Sequence, residues 1–313
     1  MDDAISRRAL LAGTTTAVAA LTTPALGQTK VFLDYDQAAL DRAYDQAQWA
    51  TNMQQVLKRR ALASDAVRGR IGGPRTFAYG VTPIETLDLY PTARPNAPIA
   101  VFLHGGAWRG GEARHAAYAA ETFVHAGAHY AVPEFATAMD VGLDGMVAQV
   151  RRAVAWLAKN ATTFGGDPGR IHVIGHSSGG HLAANVLVTD WKDFGLAADV
   201  VNGGMCISGM YDLRPVRLSA RSSYVKFDDR LEHDLSPQRH LGRLACPVIV
   251  AYGDQESPEF QRQSKEFARA LEQTGRLDRL IVGQGHNHFE LPETLGGPYG
   301  LLGRAGLEQM KLV

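Results

Sequence analysis

The segment "RIHVIGHSSGGHLAANVL", Arg170 to Leu187, restricts the fold more than any other stretch of this chain. Ile171–Ile174 is a short apolar run of strand length, and the small residues after Gly180 suit a helix. Between them "GHSSG" (Gly175–Gly179) must turn the chain sharply. Such a turn strains the central backbone. Only small neighbours let strand and helix come close, hence glycine on both sides of the serine pair.

The surrounding sequence repeats the alternation. "PIAVFLHGG", a strand near Tyr130–Pro133, "IHVIG", "VNGGMCISG", "PVIVAYG" and "LDRLIVG" read as strands. Helices are expected around His115–Ala126, Leu143–Asn160, after the serines, and over Glu259–Thr274, while "GGDPGR" reads as a loop. Continuous apolar strands separated by helices predict an α/β fold, a mostly parallel sheet covered on both faces. Two short strands, Phe77–Gly80 and Glu85–Tyr90, precede it. Asp34 to about Arg70 contains no Gly up to Gly69 and no Pro, with apolar residues every three or four positions. It reads as a helical N-terminal arm. The polar, irregular segment from about 213 to 241 breaks the alternation and is long enough for a small cap.

The chain has 313 residues, with 32 Lys and Arg against 32 Asp and Glu. That length supports a sizeable core, and the charge balance argues against nucleic-acid or membrane-surface binding driven by bulk electrostatics. No apolar run is long enough for a stable membrane anchor. Residues 1–27 read differently. Arg7 and Arg8 precede a mildly apolar, Thr- and Ala-rich stretch with a small-x-small end at Ala25 and Gly27. This is the pattern of a twin-arginine signal peptide, handled by the twin-arginine export machinery and cleaved after Gly27. The expected location is periplasmic or secreted, with a cytoplasmic protein as the alternative. Residues 28–313 would be one domain. Cys206 and Cys246 sit in apolar runs and read as buried thiols.

The turn residues carry a chemistry. Ser177 is the centre of G-x-S-x-G. Ser178 is not, because Gly would be required at 176, where His stands. Ser177 therefore reads as a nucleophile, and the backbone N–H of Ser178 as a donor to a developing oxyanion at a helix start. "FLHGGAWRGG" ends an earlier core strand. Its Gly105 and Gly106 offer further N–H donors, with His104 holding the loop. A serine nucleophile needs a base, and the base an orienting acid, in the chain order Ser, acid, His. Asp254 and Glu256 follow "PVIVAYG", and His286 and His288 follow "LDRLIVG". Hydrolases built on such turns commonly place the acid three positions after the strand-ending glycine. That spacing favours Glu256, while chemistry alone does not separate the two carboxylates. The remaining histidines show no metal spacing. His176 and His181 straddle the turn without an acidic companion, so neither a metal site nor a cofactor is expected.

Five pieces together carry a resemblance: "LDLYP" (87–91), "HGGAW" (104–108), "GHSSGGHLA" (175–183), "SPEFQRQS" (257–264) and "HFE" (288–290). In order and spacing the chain resembles the α/β-hydrolase fold arylformamidases (kynurenine formamidases) and their esterase relatives. The resemblance implies Glu256, directly before "SPEF", as the acid and His288, before Phe and an acidic residue, as the base. It implies a serine hydrolase cleaving a small carboxylic ester or amide through an acyl-enzyme. Arylformamidase activity on N-formylkynurenine-like formamides is the alternative. A third reading, a ligand-binding homologue without turnover, predicts a lost residue, yet Ser177, Glu256 and His288 are all present. The family's "HGGYW" is "HGGAW" here, so Ala107 should reshape the pocket beside Trp108. Trp108, Ala107 and Tyr211 are the expected pocket wall.

Overall fold

Alternation along the central strands sorts their side chains to two faces. In the third strand Ile99, Val101 and Leu103 enter one core, and Ala100 and Phe102 the other. The computed structural model describes residues 29–313. The signal-peptide pattern over residues 1–27 lies outside them. In chain order the strands are β1 Arg75–Ala78, β2 Thr86–Tyr90, β3 Ala97–Leu103, β4 His129–Pro133, β5 Gly166–His176, β6 Val201–Ile207, β7 Val248–Gly253 and β8 Leu277–Gly283. The helices are α1 Gln37–Tyr44, α2 Met53–Ile71, α3 Ala120–His125, α4 Ala138–Asn160, α5 Ser178–Leu187, α6 Arg214–Leu218, α7 Asp229–Asp234, α8 Pro258–Gln273 and α9 Leu301–Gln309.

The strands form one sheet of eight, in the order β1-β2-β4-β3-β5-β6-β7-β8. The pairs from β4–β3 through to β7–β8 are parallel, and β1–β2 and β2–β4 antiparallel. One face packs against α1, α4, α5 and α8, and the other against α2, α3 and α9. This is the α/β-hydrolase sheet, helix-covered on both faces. It brings the carboxyl ends of β3, β5, β6, β7 and β8 to one edge. Among the described residues no helix is long and apolar enough to cross a membrane. Cys206 and Cys246 are free and buried.

Four elements depart from the sequence reading. The arm is not one helix. α1 stops at Tyr44, Asp45 caps a 3-10 turn over Gln46–Trp49 by accepting from Ala47 N–H, and α2 starts at Met53. A side-chain cap ends a helix without breaking apolar periodicity, so periodicity alone overlooks it. The helix expected over His115–Ala126 is mostly 3-10, Ala113–Ala119, before α3. α4 begins five residues early, at Ala138, with a kink at Gly142 (φ 74°). "GGDPGR" is not a free loop: β5 starts at Gly166, where the extended backbone pairs with Ala97 of β3. The segment 213–241 consists of α6, α7 and short 3-10 turns.

Candidate active site

β5 delivers the chain to Ser177, whose φ of 59° and ψ of −125° lie outside ordinary strand and helix geometry. Such a conformation costs on the order of 1–3 kcal/mol and persists only where its surroundings enforce it. They do so here by contact. A Cβ on Gly175 would stand 2.0 Å from the Gly179 carbonyl oxygen, and one on Gly179 would stand 2.0 Å from that of Leu103. Ser177 N–H donates to the Ile207 carbonyl at 2.9 Å, tying the turn to the end of β6. The serine side chain is thereby lifted over the sheet edge at the start of α5.

His288 reaches this serine from the loop after β8. Ser177 Oγ lies 2.8 Å from His288 Nε2, and His288 Nδ1 lies 3.0 Å from Glu256 Oε2. A carboxylate can only accept, so Nδ1–H donates to Glu256 and Nε2 is left to accept from the serine hydroxyl. The second oxygen of Glu256 accepts from Gly253 N–H at 2.7 Å and from the Ser208 hydroxyl at 2.5 Å. Ser177, His288 and Glu256 are all buried. The alternatives point elsewhere. Asp254 Oδ1 accepts from Gly285 N–H at 2.8 Å, and His286 Nδ1–H donates to the Gln284 carbonyl at 2.8 Å. Both shape the loop after β8.

The loop after β3 presses against the serine. A Cβ on Gly105 would lie 3.0 Å from that of Ser177, and one on Gly106 (φ 141°) would lie 1.8 Å from the Gly110 carbonyl oxygen. Ala107 and Trp108 follow at φ 55° and 61°. The backbone N–H groups of Gly105, Gly106 and Ser178 have no acceptor among the described residues. His104 braces the loop. Its ring nitrogens lie 3.0 Å from the Gly105 carbonyl oxygen and 3.1 Å from Glu134 Oε1, and its ring stacks on Phe135 at 4.3 Å. Burial pushes the Glu134 carboxyl up. The bonds from His104 and from the amides of Ala113 and Phe135 outweigh it and hold the group below the usual range.

A cavity of about 720 Å³ opens above Ser177 and His288. Ala107 lines it, but Trp108 and Tyr211 do not, which corrects the sequence reading. Trp108 is 1% exposed, lying edge-on to His181 and under the Arg221 guanidinium. Tyr211 is fully buried, stacked on Phe267 at 4.0 Å with its hydroxyl accepting from Gly209 N–H. Each ring has a matched partner away from the cavity, a guanidinium over the indole face of Trp108 and an aromatic face against Tyr211. Further parts of the wall come from the arm, to which the sequence reading gave no part in the pocket, and from the 213–241 segment, which it read as a small cap. Tyr44, Met53, Leu57 and Arg60 of the arm stand on one side, and Arg221 and Tyr224 of the 213–241 segment on another. Arm residues lie more than 100 positions before Ser177, and no local pattern announces such a contact.

The two histidines flanking the motif do other work. His176 Nε2–H donates to the His288 carbonyl at 2.8 Å, and burial followed by the neighbouring His288 keeps its pKa well below the usual histidine range. His181 Nε2 meets the Leu235 carbonyl at 2.8 Å, and burial pushes its pKa down to about 4. Both are neutral near pH 7 and fasten the turn to the loops around it. Among the described residues no group of three His, Cys, Asp or Glu could hold a metal ion.

Comparison with known proteins agrees with this architecture. Residues 87–197 match the BD-FAE family model. A kynurenine formamidase of Danio rerio is 31% identical over 224 residues, covering 69% of this chain and 75% of that protein. One from Salmo salar is 29% identical over 283 residues, covering 86% and 95%. The solved structure of a thermostable carboxylesterase from a metagenomic library superposes with a TM-score of 0.65 at 19% identity, covering 84% of this chain and 95% of that one. At that identity it speaks for the fold alone. With the sheet, the glycine-enforced serine turn and these relatives in hand, the chain belongs to the kynurenine formamidase family of α/β-hydrolases, among the esterases and formamidases.

Proposed function

We propose that the protein is a serine hydrolase acting on a small carboxylic ester or amide through an acyl-enzyme. The observation that carries this reading is the unbroken chain from Ser177 Oγ to His288 Nε2 at 2.8 Å and from His288 Nδ1 to Glu256 Oε2 at 3.0 Å, at the base of an open cavity. Ser177 attacks the substrate carbonyl while His288 takes its proton. Glu256 orients the ring and stabilises its cationic form. The N–H groups of Gly105, Gly106 and Ser178 receive the oxyanion, a contribution of about 10²–10³ in rate for a single donor in comparable sites. His288 then protonates the leaving group. Water, activated by the same ring, releases the acid and restores the Ser177 hydroxyl. A second reading, hydrolysis of aryl formamides, is favoured by the two fish kynurenine formamidases, which are 29% and 31% identical. It is the same chemistry with a formyl group on Ser177.

Ser177→Ala tests the shared mechanism. Turnover of a short p-nitrophenyl ester should fall by about four orders of magnitude or more, with the cooperative melt kept. Unchanged turnover would overturn the assignment. Relative kcat/KM for an aryl formamide against acetate and butyrate esters separates the two readings. A formamidase prefers the formamide, and an esterase the esters.

A further inference from the structure

We propose that Ser208 is a positioning residue for Glu256, fixing the acid through the oxygen that does not face His288. The proposal rests on the reading of Glu256 as the acid of the site. It stands on three observations. First, the sheet order puts β6 between β5 and β7, and the register pairs His176 with Ile207 and Ile207 with Ala251. Ser208, one residue beyond Ile207, therefore emerges beside the serine turn and below the loop that carries Glu256. Second, its hydroxyl donates to Glu256 Oε1 at 2.5 Å in a fully buried setting, within the range of charge-assisted O–H···O⁻ bonds. Third, Ser208 is held at φ 50°, a left-handed conformation that a turn alone would give to glycine, and its N–H is tied to the Ala251 carbonyl at 2.7 Å. A side chain at a position suited to glycine needs a use, and the bond to Glu256 supplies one.

The bond has a geometric consequence. Glu has one more rotatable bond than Asp, so a buried Glu reaches a histidine reproducibly only if its carboxylate is pinned. Gly253 N–H and Ser208 Oγ–H both bind Oε1 and leave Oε2 to accept from His288. Without the hydroxyl, Glu256 has one anchor and more charge left on the oxygen that faces the ring. The ring is then less well oriented, and its proton is held more tightly.

Ser208→Gly and Ser208→Ala test this on the full chain. Both remove the hydroxyl, and Gly also relieves the backbone. Both variants should lose kcat by about tenfold or more with KM within about twofold, and the acidic limb of the pH–rate profile should move up by about half a pH unit. A residue that serves only the turn predicts the reverse for Gly: wild-type kcat and an unmoved limb, which would overturn the proposal. In a Glu256→Gln background, adding Ser208→Gly should cost no more than about twofold. A full tenfold loss there would also overturn it, since the hydroxyl would be acting by another route. Glu256→Gln by itself keeps the two claims apart. If it leaves the rate unchanged, the reading of Glu256 fails. If it collapses the rate while Ser208→Gly does not, only the present inference fails.

Discussion

Asp254 and Glu256 are two carboxylates two positions apart whose surroundings give them different partners. Asp254 accepts from the amide of Gly285 in the next loop, while Glu256 is buried between Ser208, Gly253 and His288. Glu256→Gln keeps the shape but offers His288 an amide, and should lower kcat by about 10³–10⁴ if the hydrolase mechanism holds. Asp254→Asn keeps an oxygen to accept from Gly285 N–H, and should change kcat by less than about threefold and stability by less than about 1 kcal/mol. Steady-state kinetics with a chromogenic ester and thermal melts of both variants check this pair. At this scale Ser177 was legible, because the glycines that enforce its turn are its own neighbours. The choice of Glu256 over Asp254 rests on spacing from Gly253 and on the family resemblance, because both carboxylates lie after the same strand and either can orient an imidazole. Ser208 gave no local signal at all, since its meaning depends on β6 lying between β5 and β7.

Among the elements, the N-terminal arm differs most from its sequence reading and has the most to do with the site. Its docking is polar and buried. Tyr44 Oη–H donates to Glu259 Oε1 at 2.8 Å, Gln46 Nε2–H donates to Ser257 Oγ at 2.8 Å, and Ser257 Oγ–H donates to the Ala43 carbonyl at 2.6 Å. Ser257 also caps α8, directly after Glu256, so the arm grips the element that follows Glu256. Arg221 Nη2–H donates to the Tyr44 carbonyl at 2.9 Å and joins the arm to the 213–241 segment. From this docked position α2 presents Met53 and Leu57 to the cavity, and Leu57 remains 39% exposed. Leu57→Trp should therefore narrow the cavity with little effect on folding. We expect KM for a long-chain or aryl ester to rise by about tenfold and that for an acetate ester to stay within about twofold. Equal effects on both substrates would place the arm outside the substrate path. Strands and helices of the sheet were legible from apolar runs and glycine punctuation. The arm's break after Tyr44 was not, because Asp45 acts through a capping bond that apolar periodicity does not record.

For the whole molecule, buried neutral histidines tie stability to pH. Burial pushes both His172 and His181 down to a pKa of about 4, against an ordinary value of 6.5. Between those values the unfolded chain binds more protons than the folded one, so stability rises with pH across that window. It is fully present above about pH 6.5 and is lost as the pH falls toward 4. The melting temperature should drop on the order of 5–10 °C from pH 7 to pH 4.5, and His181→Gln should flatten part of that slope. Differential scanning calorimetry across this range checks both the sign and the size. The sequence by itself determined the parallel sheet, the strand–turn–helix unit and the position of Ser177. Each of these follows from periodicity and steric demand within some ten neighbouring residues. Only the tertiary structure decided that Trp108 and Tyr211 belong to the core, that the arm walls the cavity, and that Ser208 meets Glu256. Those outcomes depend on which distant elements pack together, and a buried aromatic or a buried hydroxyl takes its role from whatever the fold sets against it.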